Sequence, residues 1–145
     1  MFSVCCASWA FFYDRYDPSM VLLLRWAIVI HAAGAGMVEL ADKRCVPCRG
    51  GVSPLRGVEL TPLAEQVPEW RVVDEHHLER SFRFKDFAEA LRFTNQIGAL
   101  AEEQGHHPDI LLAWGKAGVQ IWTHKIDGLT ESDFVLAAKI DRLAR

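Results

Sequence analysis

Three histidines and two carboxylates in the last third of the chain have the residue types of a proton-transfer site. His106 and His107 are adjacent, His124 follows them, and Glu102 and Asp133 stand on either side of the group. Imidazole changes its charge near neutral pH and passes protons to and from reacting groups. If the fold brings these side chains to one pocket, they can protonate a leaving hydroxyl and remove a second proton elsewhere.

Each of these residues also has a structural explanation. Two histidines at a helix exit complement the helix C-terminus, although that role needs only one of them. His124 is explained equally well as the end of a strand. Asp133 is the N3 residue of a capping box, where it can both cap the helix and orient an imidazole. Glu102 lies one helical turn before His106, at the spacing of an i, i+4 contact.

Metal binding is the other chemistry that these residues allow. His106, His124 and Asp133 have a spacing that does not exclude zinc, but side chains of adjacent residues diverge, so His106 and His107 do not chelate one ion together. We therefore expect a site without metal or other cofactor. The second histidine pair, His76-His77, lies in a polar turn and is predicted to be solvated.

The composition indicates one ordinary globular domain. The chain has 145 residues, half of them hydrophobic and 24% charged, with a net charge of −3. This charge gives no basic footprint for direct nucleic-acid binding. The four cysteines lie in the first third, and the Cys45-Val-Pro-Cys48 pair supplies at most two of the four ligands of a usual zinc site. They favour plain thiols in a reducing compartment.

The chain is expected to have three parts. Residues 1–36 are an N-terminal extension, accessory or disordered, with a signal peptide and an upstream translation start as the alternatives. Their apolar run is shorter than the roughly 20 residues of a membrane span, so we expect no span and a soluble protein of the cytoplasm or an organelle lumen. Residues 37–59 are an irregular arm that carries the Cys-x-x-Cys pair, and residues 60–145 are the main domain.

The sequence of the main domain predicts the order helix, two strands, helix, two strands, helix. Its elements are a short helix from Thr61, strands at 70–73 and 78–84, a helix at 85–103, strands at 110–114 and 119–124 joined by 115–118, and a helix capped by Thr130. Leu129 is placed to pack on Phe134 as a hydrophobic staple. We predict an α+β fold, a four-stranded antiparallel sheet with three helices packed on one face.

The long helix has more apolar surface than one sheet can cover. Its apolar residues spread over an arc of roughly 200°. The surplus predicts a second packing surface, and a homodimer or homotetramer is the simplest way to cover it.

The joint spacing of these residues resembles the signature of the pterin-4a-carbinolamine dehydratases. The pattern consists of Glu102, His106-His107-Pro108, Trp114, His124 and Asp133. The likeness runs from about Leu60 to Arg145, and Cys45-Val-Pro-Cys48 also resembles the amino-terminal arm of some members. The resemblance implies a four-stranded sheet with three helices, assembled as dimers or tetramers without metal.

The resemblance also implies a reaction and its residues. Members dehydrate 4a-hydroxytetrahydropterin to quinonoid dihydropterin, which recycles the tetrahydrobiopterin-type pterin used by aromatic amino acid hydroxylases. His106, His107 and His124 would be the catalytic and pterin-contacting imidazoles, supported by Glu102 and Asp133. Our hypothesis is that His106 and His124 form the acid–base pair and that His107 positions the ring.

Two points stay open. Trp114 or Trp122 can stack on the pterin, although core packing is the expected role of both. The resemblance also admits a non-catalytic protein, because family members act as dimerisation partners of a homeodomain transcription factor and similar proteins help to assemble Rubisco. A pure scaffold has no use for all three histidines, so an enzyme is favoured.

Overall fold

The structure is a computed structural model that describes residues 39–46 and 51–145. The predictions for residues 1–36 and for Cys48 lie outside the described residues. Within the described ranges, no helix is long and apolar enough to cross a membrane.

A four-stranded antiparallel sheet forms the centre of the domain. The strands are β1 (Arg71–Val73), β2 (His77–Arg83), β3 (Asp109–Ala113) and β4 (Lys116–Ile121), and their order across the sheet is β1-β2-β4-β3. Alternate residues point to opposite faces of a strand. On β4 the inward residues Ala117, Val119 and Ile121 are fully buried, while Lys116 and Gln120 are exposed.

Three helices cover the inward face of the sheet, which confirms the predicted fold class. They are α1 (Thr61–Ala64), α2 (Phe87–Gln104) and α3 (Glu131–Leu143). Helix α2 begins at Asp86, whose side chain accepts a hydrogen bond from the Glu89 backbone N–H at 2.9 Å. It ends at Gly105, whose φ of 63° is the left-handed conformation that glycine adopts without strain. Helix α3 has the predicted N-cap, Thr130.

The β3–β4 hairpin differs from its prediction. The expected four-residue loop at 115–118 is wrong, because β4 already begins at Lys116. Gly115 makes this short turn possible with a φ of 61°. Its carbonyl accepts a hydrogen bond from the Phe84 N–H at 2.8 Å, and a Cβ at this position would lie 2.9 Å from the Phe84 oxygen.

The described part of the arm packs against α3. Leu40, Ala41 and Cys45 are buried, and Lys139 on α3 donates a hydrogen bond to the Ala41 carbonyl at 3.0 Å. Arg142, also on α3, contacts carboxylates of the arm. The irregular arm is thus attached to the helix that carries Asp133.

Breaking the Arg142 contact should destabilise the fold in a pH-dependent way. The hydrogen bond from Arg142, 2.8 Å long, lowers the pKa of Asp42 below its ordinary value of 3.8. A carboxyl group whose pKa is lowered in the folded state stabilises the fold at any pH above its ordinary pKa. That stabilisation is lost as the pH falls through the folded-state pKa. Arg142→Gln should therefore lower the free energy of unfolding at pH 7 and have a smaller effect at pH 2.5, measured by urea denaturation.

The matched control is Arg92→Gln, on the exposed side of α2. It should change stability little at either pH. An Arg142→Gln effect of the same size at pH 7 and pH 2.5 would contradict the ion-pair explanation.

A second stability prediction concerns two glycines in different surroundings. A Cβ on Gly128 would lie 2.7 Å from Pro54 Cβ, whereas a Cβ on Gly98 in α2 meets nothing within 4 Å. Gly128→Ala should lower the free energy of unfolding by about 1–3 kcal/mol, as overpacking does. Gly98→Ala should raise it by about 0.5–1 kcal/mol, because alanine is the better helix former. Chemical denaturation measures both, and equal effects would contradict the packing shown here.

Candidate active site

His106 and Asp133 form a buried imidazole–carboxylate pair. His106 Nε2 lies 2.7 Å from Asp133 Oδ1, and the two side chains are 6% and 0% exposed. An ionised carboxylate only accepts hydrogen bonds, so in this pair Nε2 carries the hydrogen. The capping prediction for Asp133 is therefore compatible with its second predicted role, orienting an imidazole.

The other oxygen of Asp133 is held by two threonines. Oδ2 accepts hydrogen bonds from the Thr123 hydroxyl at 3.0 Å, the Thr130 hydroxyl at 2.9 Å and the Thr130 backbone N–H at 2.6 Å. Thr130 is the residue before α3, and Thr123 follows β4. Asp133 thus joins the start of α3, the end of β4 and the exit of α2 through one carboxylate.

His107 pairs with a different carboxylate. Its Nε2 lies 3.1 Å from Glu102 Oε1, and the histidine side chain is 60% exposed. The sequence suggested that Glu102 contacts His106, one turn later; the structure places it against His107 instead. The left-handed Gly105 ends the helix and the His106 N–H bonds to the Ala101 carbonyl, which directs the His106 side chain into the core.

His124 stands on the exposed side of the same region. It opens a 3₁₀ turn, His124–Ile126, rather than ending a strand, and its side chain is 55% exposed. Its Nε2 lies 3.8 Å from Asp109 Oδ1. Asp109 is exposed, as is His107 two residues before it, whereas His106 is buried. Asp109 begins β3 and pairs with Gln120 close to the end of β4, so His107, Asp109 and His124 lie at the same end of the sheet.

The five predicted residues therefore fall into two groups. His106 and Asp133 are buried together, while His107 with Glu102 and His124 with Asp109 form two exposed pairs. Asp109 was not among the predicted residues, although it directly follows the His-His-Pro motif. The motif itself was the signal that could have found it.

Comparison with known proteins decides the family. Residues 53–143, more than half of the chain, match the family model described as pterin 4 alpha carbinolamine dehydratase. The chain belongs to this family. Its members are hydro-lyases that act on a pterin carbinolamine, and the pattern of His106, His107 and His124 lies inside the matched region.

Relatives carry the same family name at high identity. A Rubrobacter xylanophilus protein is 68% identical over 107 residues, which is 74% of this chain and 100% of that protein. An Alkaliphilus metalliredigens protein is 56% identical over 107 residues, 73% of this chain and 96% of its own. Both proteins are named for the dehydratase.

A solved structure shares the fold. It is a crystal structure described as a transcriptional coactivator/pterin dehydratase from Brucella melitensis, with a TM-score of 0.60 and 33% identity. The match covers 64% of this chain and all of that one.

Two cavities lie beside the dehydratase motif. One, of about 460 Å³, is bounded by the arm and the start of α3. Its lining includes Thr123 and Thr130, the two threonines that donate hydrogen bonds to Asp133. The other is a groove of about 500 Å³ on the outer face of the sheet, and its lining includes Pro108 and Asp109. The described lining of neither cavity includes a histidine, so the structure does not show the single pocket of three imidazoles that the sequence suggested.

The tryptophans and the second histidine pair also differ from expectation. Trp114 is 77% exposed at the β3–β4 turn, so its predicted core role is wrong. Trp122 is half-buried and contacts the rings of His76, His77 and His124. His76 and His77 are half-buried, with the His76 side chain 35% exposed, so the pair is only partly solvated and also packs against Trp122.

Metal binding finds no support in the described part of the chain. Within residues 39–46 and 51–145, no group of three or more histidine, cysteine, aspartate or glutamate side chains is arranged to hold an ion. His124, one member of the zinc set considered from the sequence, contacts Asp109 and not Asp133.

Proposed function

We propose that the chain dehydrates 4a-hydroxytetrahydropterin to quinonoid dihydropterin by acid–base catalysis at His107 and His124. The observation that supports this most directly is the pair of exposed imidazoles, each beside its own carboxylate, at one end of the sheet. Both side chains are accessible to a dissolved substrate. Imidazoles near a carboxylate exchange protons at neutral pH in either direction.

The burial of His106 argues for a different role from the one first assigned to it. A group that exchanges protons with a substrate must reach the reacting atom. His106 is 6% exposed and its Nε2 is occupied by Asp133. We therefore give the acid–base role to His107 and His124, and we make His106 and Asp133 the pair that fixes the backbone from which His107 projects.

The reaction needs one proton delivered and one removed. The C4a–O bond breaks as a protonated imidazole gives its proton to the 4a-hydroxyl, which leaves as water. The N5–H bond breaks as a neutral imidazole takes that proton, and its electron pair forms the N5=C4a double bond. One imidazole loses a proton and the other gains one, so the total charge of the site is unchanged.

Carboxylates at the two imidazoles suit this exchange. Glu102 lies 3.1 Å from His107 and Asp109 lies 3.8 Å from His124, so each carboxylate can help to orient the ring that exchanges a proton. Asp109 is also part of the lining of the groove on the outer face, and a carboxylate there can accept hydrogen bonds from amino and ring N–H groups of a pterin. We place the substrate ring at this end of the groove.

The proposal is tested by following the reaction itself. The full chain should accelerate the loss of 4a-hydroxytetrahydropterin, generated in situ by an aromatic amino acid hydroxylase, and form quinonoid dihydropterin, both followed by stopped-flow absorbance. Pterin recycling of the tetrahydrobiopterin type is the context we propose for this reaction. A rate equal to the uncatalysed rate at micromolar protein would reject the proposed activity.

A non-catalytic dimerisation or assembly factor with the same fold is the second candidate, and exposed apolar side chains favour it. Phe87 and Leu91 on α2 are each 40% exposed, and Leu111 on the edge strand β3 is 69% exposed. These residues fit the predicted homodimer or homotetramer. Light scattering on a sizing column should give a mass two or four times that of the chain; a monomer at micromolar concentration would contradict the oligomer.

A further inference from the structure

We propose that Trp122 is a positioning residue for His124 and that His76, His77 and Asp127 hold the tryptophan and the following turn in place. The inference rests on the proposed function, because it concerns how the structure orients one of the two proposed catalytic imidazoles. These positioning residues lie outside the spacing pattern that identified the family.

His124 needs such support because its own element is weak. It opens a three-residue 3₁₀ turn, and more than half of its side chain is exposed. Its contact with Asp109, at 3.8 Å, is longer than a hydrogen bond. Proton transfer requires the imidazole within hydrogen-bond reach of the substrate atom, so an unsupported ring would spend much of its time misplaced.

Trp122 supplies a broad surface against this ring. The centroids of the Trp122 and His124 rings are 4.3 Å apart with planes tilted by 45°. The indole gives the imidazole a flat surface to pack against, so this contact restricts the rotation of the His124 side chain. Trp122 therefore acts on the orientation of His124 without reaching the substrate itself.

The tryptophan also contacts the β1–β2 turn and the start of β2. The ring centroids of His76 and His77 lie 5.7 Å and 6.1 Å from that of Trp122. The pairing of Leu78 with Ile121 sets β2 beside β4, which brings His77 next to Trp122. The turn that was expected to be solvated thus supports the tryptophan from the neighbouring strand.

Asp127 connects the same turn to the end of the 3₁₀ element. Its Oδ1 lies 3.0 Å from His76 Nε2, and its backbone N–H donates to the His124 carbonyl at 3.4 Å. The Nδ1 atoms of His76 and His77 lie 3.0 Å apart, within hydrogen-bond distance, so the two rings of this turn are joined to each other as well as to Asp127. The His124 turn is therefore attached to β1–β2 both through Trp122 and through Asp127.

A double-mutant cycle between Trp122 and His124 tests this role. Trp122→Ala should lower kcat for 4a-hydroxytetrahydropterin by about 10- to 100-fold, as small misplacements of a catalytic group do, while KM changes less than about threefold. Trp122→Phe, which keeps an aromatic face, should recover most of kcat. In a His124→Ala background, Trp122→Ala should have no further effect, because the group that it positions is gone.

The outcomes separate this inference from the proposed function. If His124→Ala lowers kcat and Trp122→Ala lowers it by the same factor with or without His124, the tryptophan has only a structural role and the inference is rejected. If His124→Ala leaves kcat unchanged, the proposed catalytic role fails, and the inference fails with it.

A second variant keeps the test valid if Trp122→Ala does not fold. Circular dichroism and the melting temperature show whether Trp122→Ala is folded; if it is not, His76→Ala enters the same cycle. Because it removes both the ring contact with Trp122 and the bond to Asp127, His76→Ala should lower kcat by about 3- to 30-fold, again only when His124 is present. An equal loss in both backgrounds would reject the positioning role.

Discussion

Replacing Asp133 with alanine is expected to lower the free energy of unfolding by about 3–5 kcal/mol, because several hydrogen bonds to one buried carboxylate are lost together and each unsatisfied partner costs about 1–3 kcal/mol. Asp133 is completely buried and accepts hydrogen bonds from Thr123, from Thr130 and from His106. Alanine removes the acceptor that these donors share, and each buried group left unsatisfied carries its own desolvation cost. Urea denaturation followed by tryptophan fluorescence measures the loss.

Two matched variants show whether burial is the cause. Asp133→Asn keeps an oxygen for the Thr130 N–H but presents an amide to His106. Its free energy of unfolding should therefore lie between those of the wild type and of Asp133→Ala. Glu102→Ala removes the exposed carboxylate beside His107 and should cost no more than about 1 kcal/mol, as exposed pairs do. An Asp133→Ala loss as small as that of Glu102→Ala would contradict the view that this carboxylate joins three elements.

The sequence was sufficient for the architecture because the strongest signals are local. Each of these signals depends on residues only a few positions apart: the alternation on β2 and β4, the Thr130 N-cap with Asp133 at N3, and Gly105 after the long helix. The structure has the predicted order of elements and the predicted sheet. The β3–β4 loop was misjudged because Gly115 fits a tight turn only through its contact with Phe84, a residue far away in sequence.

Side-chain partners in the candidate site were harder to predict. Helical spacing suggested that Glu102 meets His106, but the left-handed Gly105 rotates the chain and leaves His107 beside that glutamate. The contact between His77 and Trp122 depends on the register between β2 and β4, two strands that are separated in sequence by α2 and β3. No local pattern contains that register.

The difference in burial suggests that the buried pair has a structural role and that the two exposed pairs have a catalytic one. The His106–Asp133 pair fixes the exit of α2 against the start of α3, so that the next residue, His107, projects from a rigid backbone. His107 and His124 keep their imidazoles accessible, each beside a carboxylate that is itself exposed. Loss of the buried pair should therefore affect stability first, and loss of an exposed imidazole should affect catalysis almost alone.

The exposed imidazoles give the largest effect that we expect on catalysis. His107→Ala and His124→Ala should each lower kcat for 4a-hydroxytetrahydropterin by about 10²- to 10⁴-fold, the usual contribution of a general acid or base. The double variant should lose less than the product of the two factors, because residues that act in one step are not additive. Both single variants should keep the melting temperature within a few degrees, since neither side chain belongs to the core.

Added imidazole distinguishes proton transfer from a packing role for these two residues. Removal of an exposed side chain leaves space that a dissolved imidazole can enter, so millimolar imidazole should restore part of the lost kcat in each single variant. Asp133→Ala offers no such vacated acid or base and should not respond, and neither should the wild type. Activity of both histidine variants within threefold of the wild type, or losses that imidazole does not restore in either, would remove His107 and His124 from the proton-transfer step and leave the buried His106 to account for it.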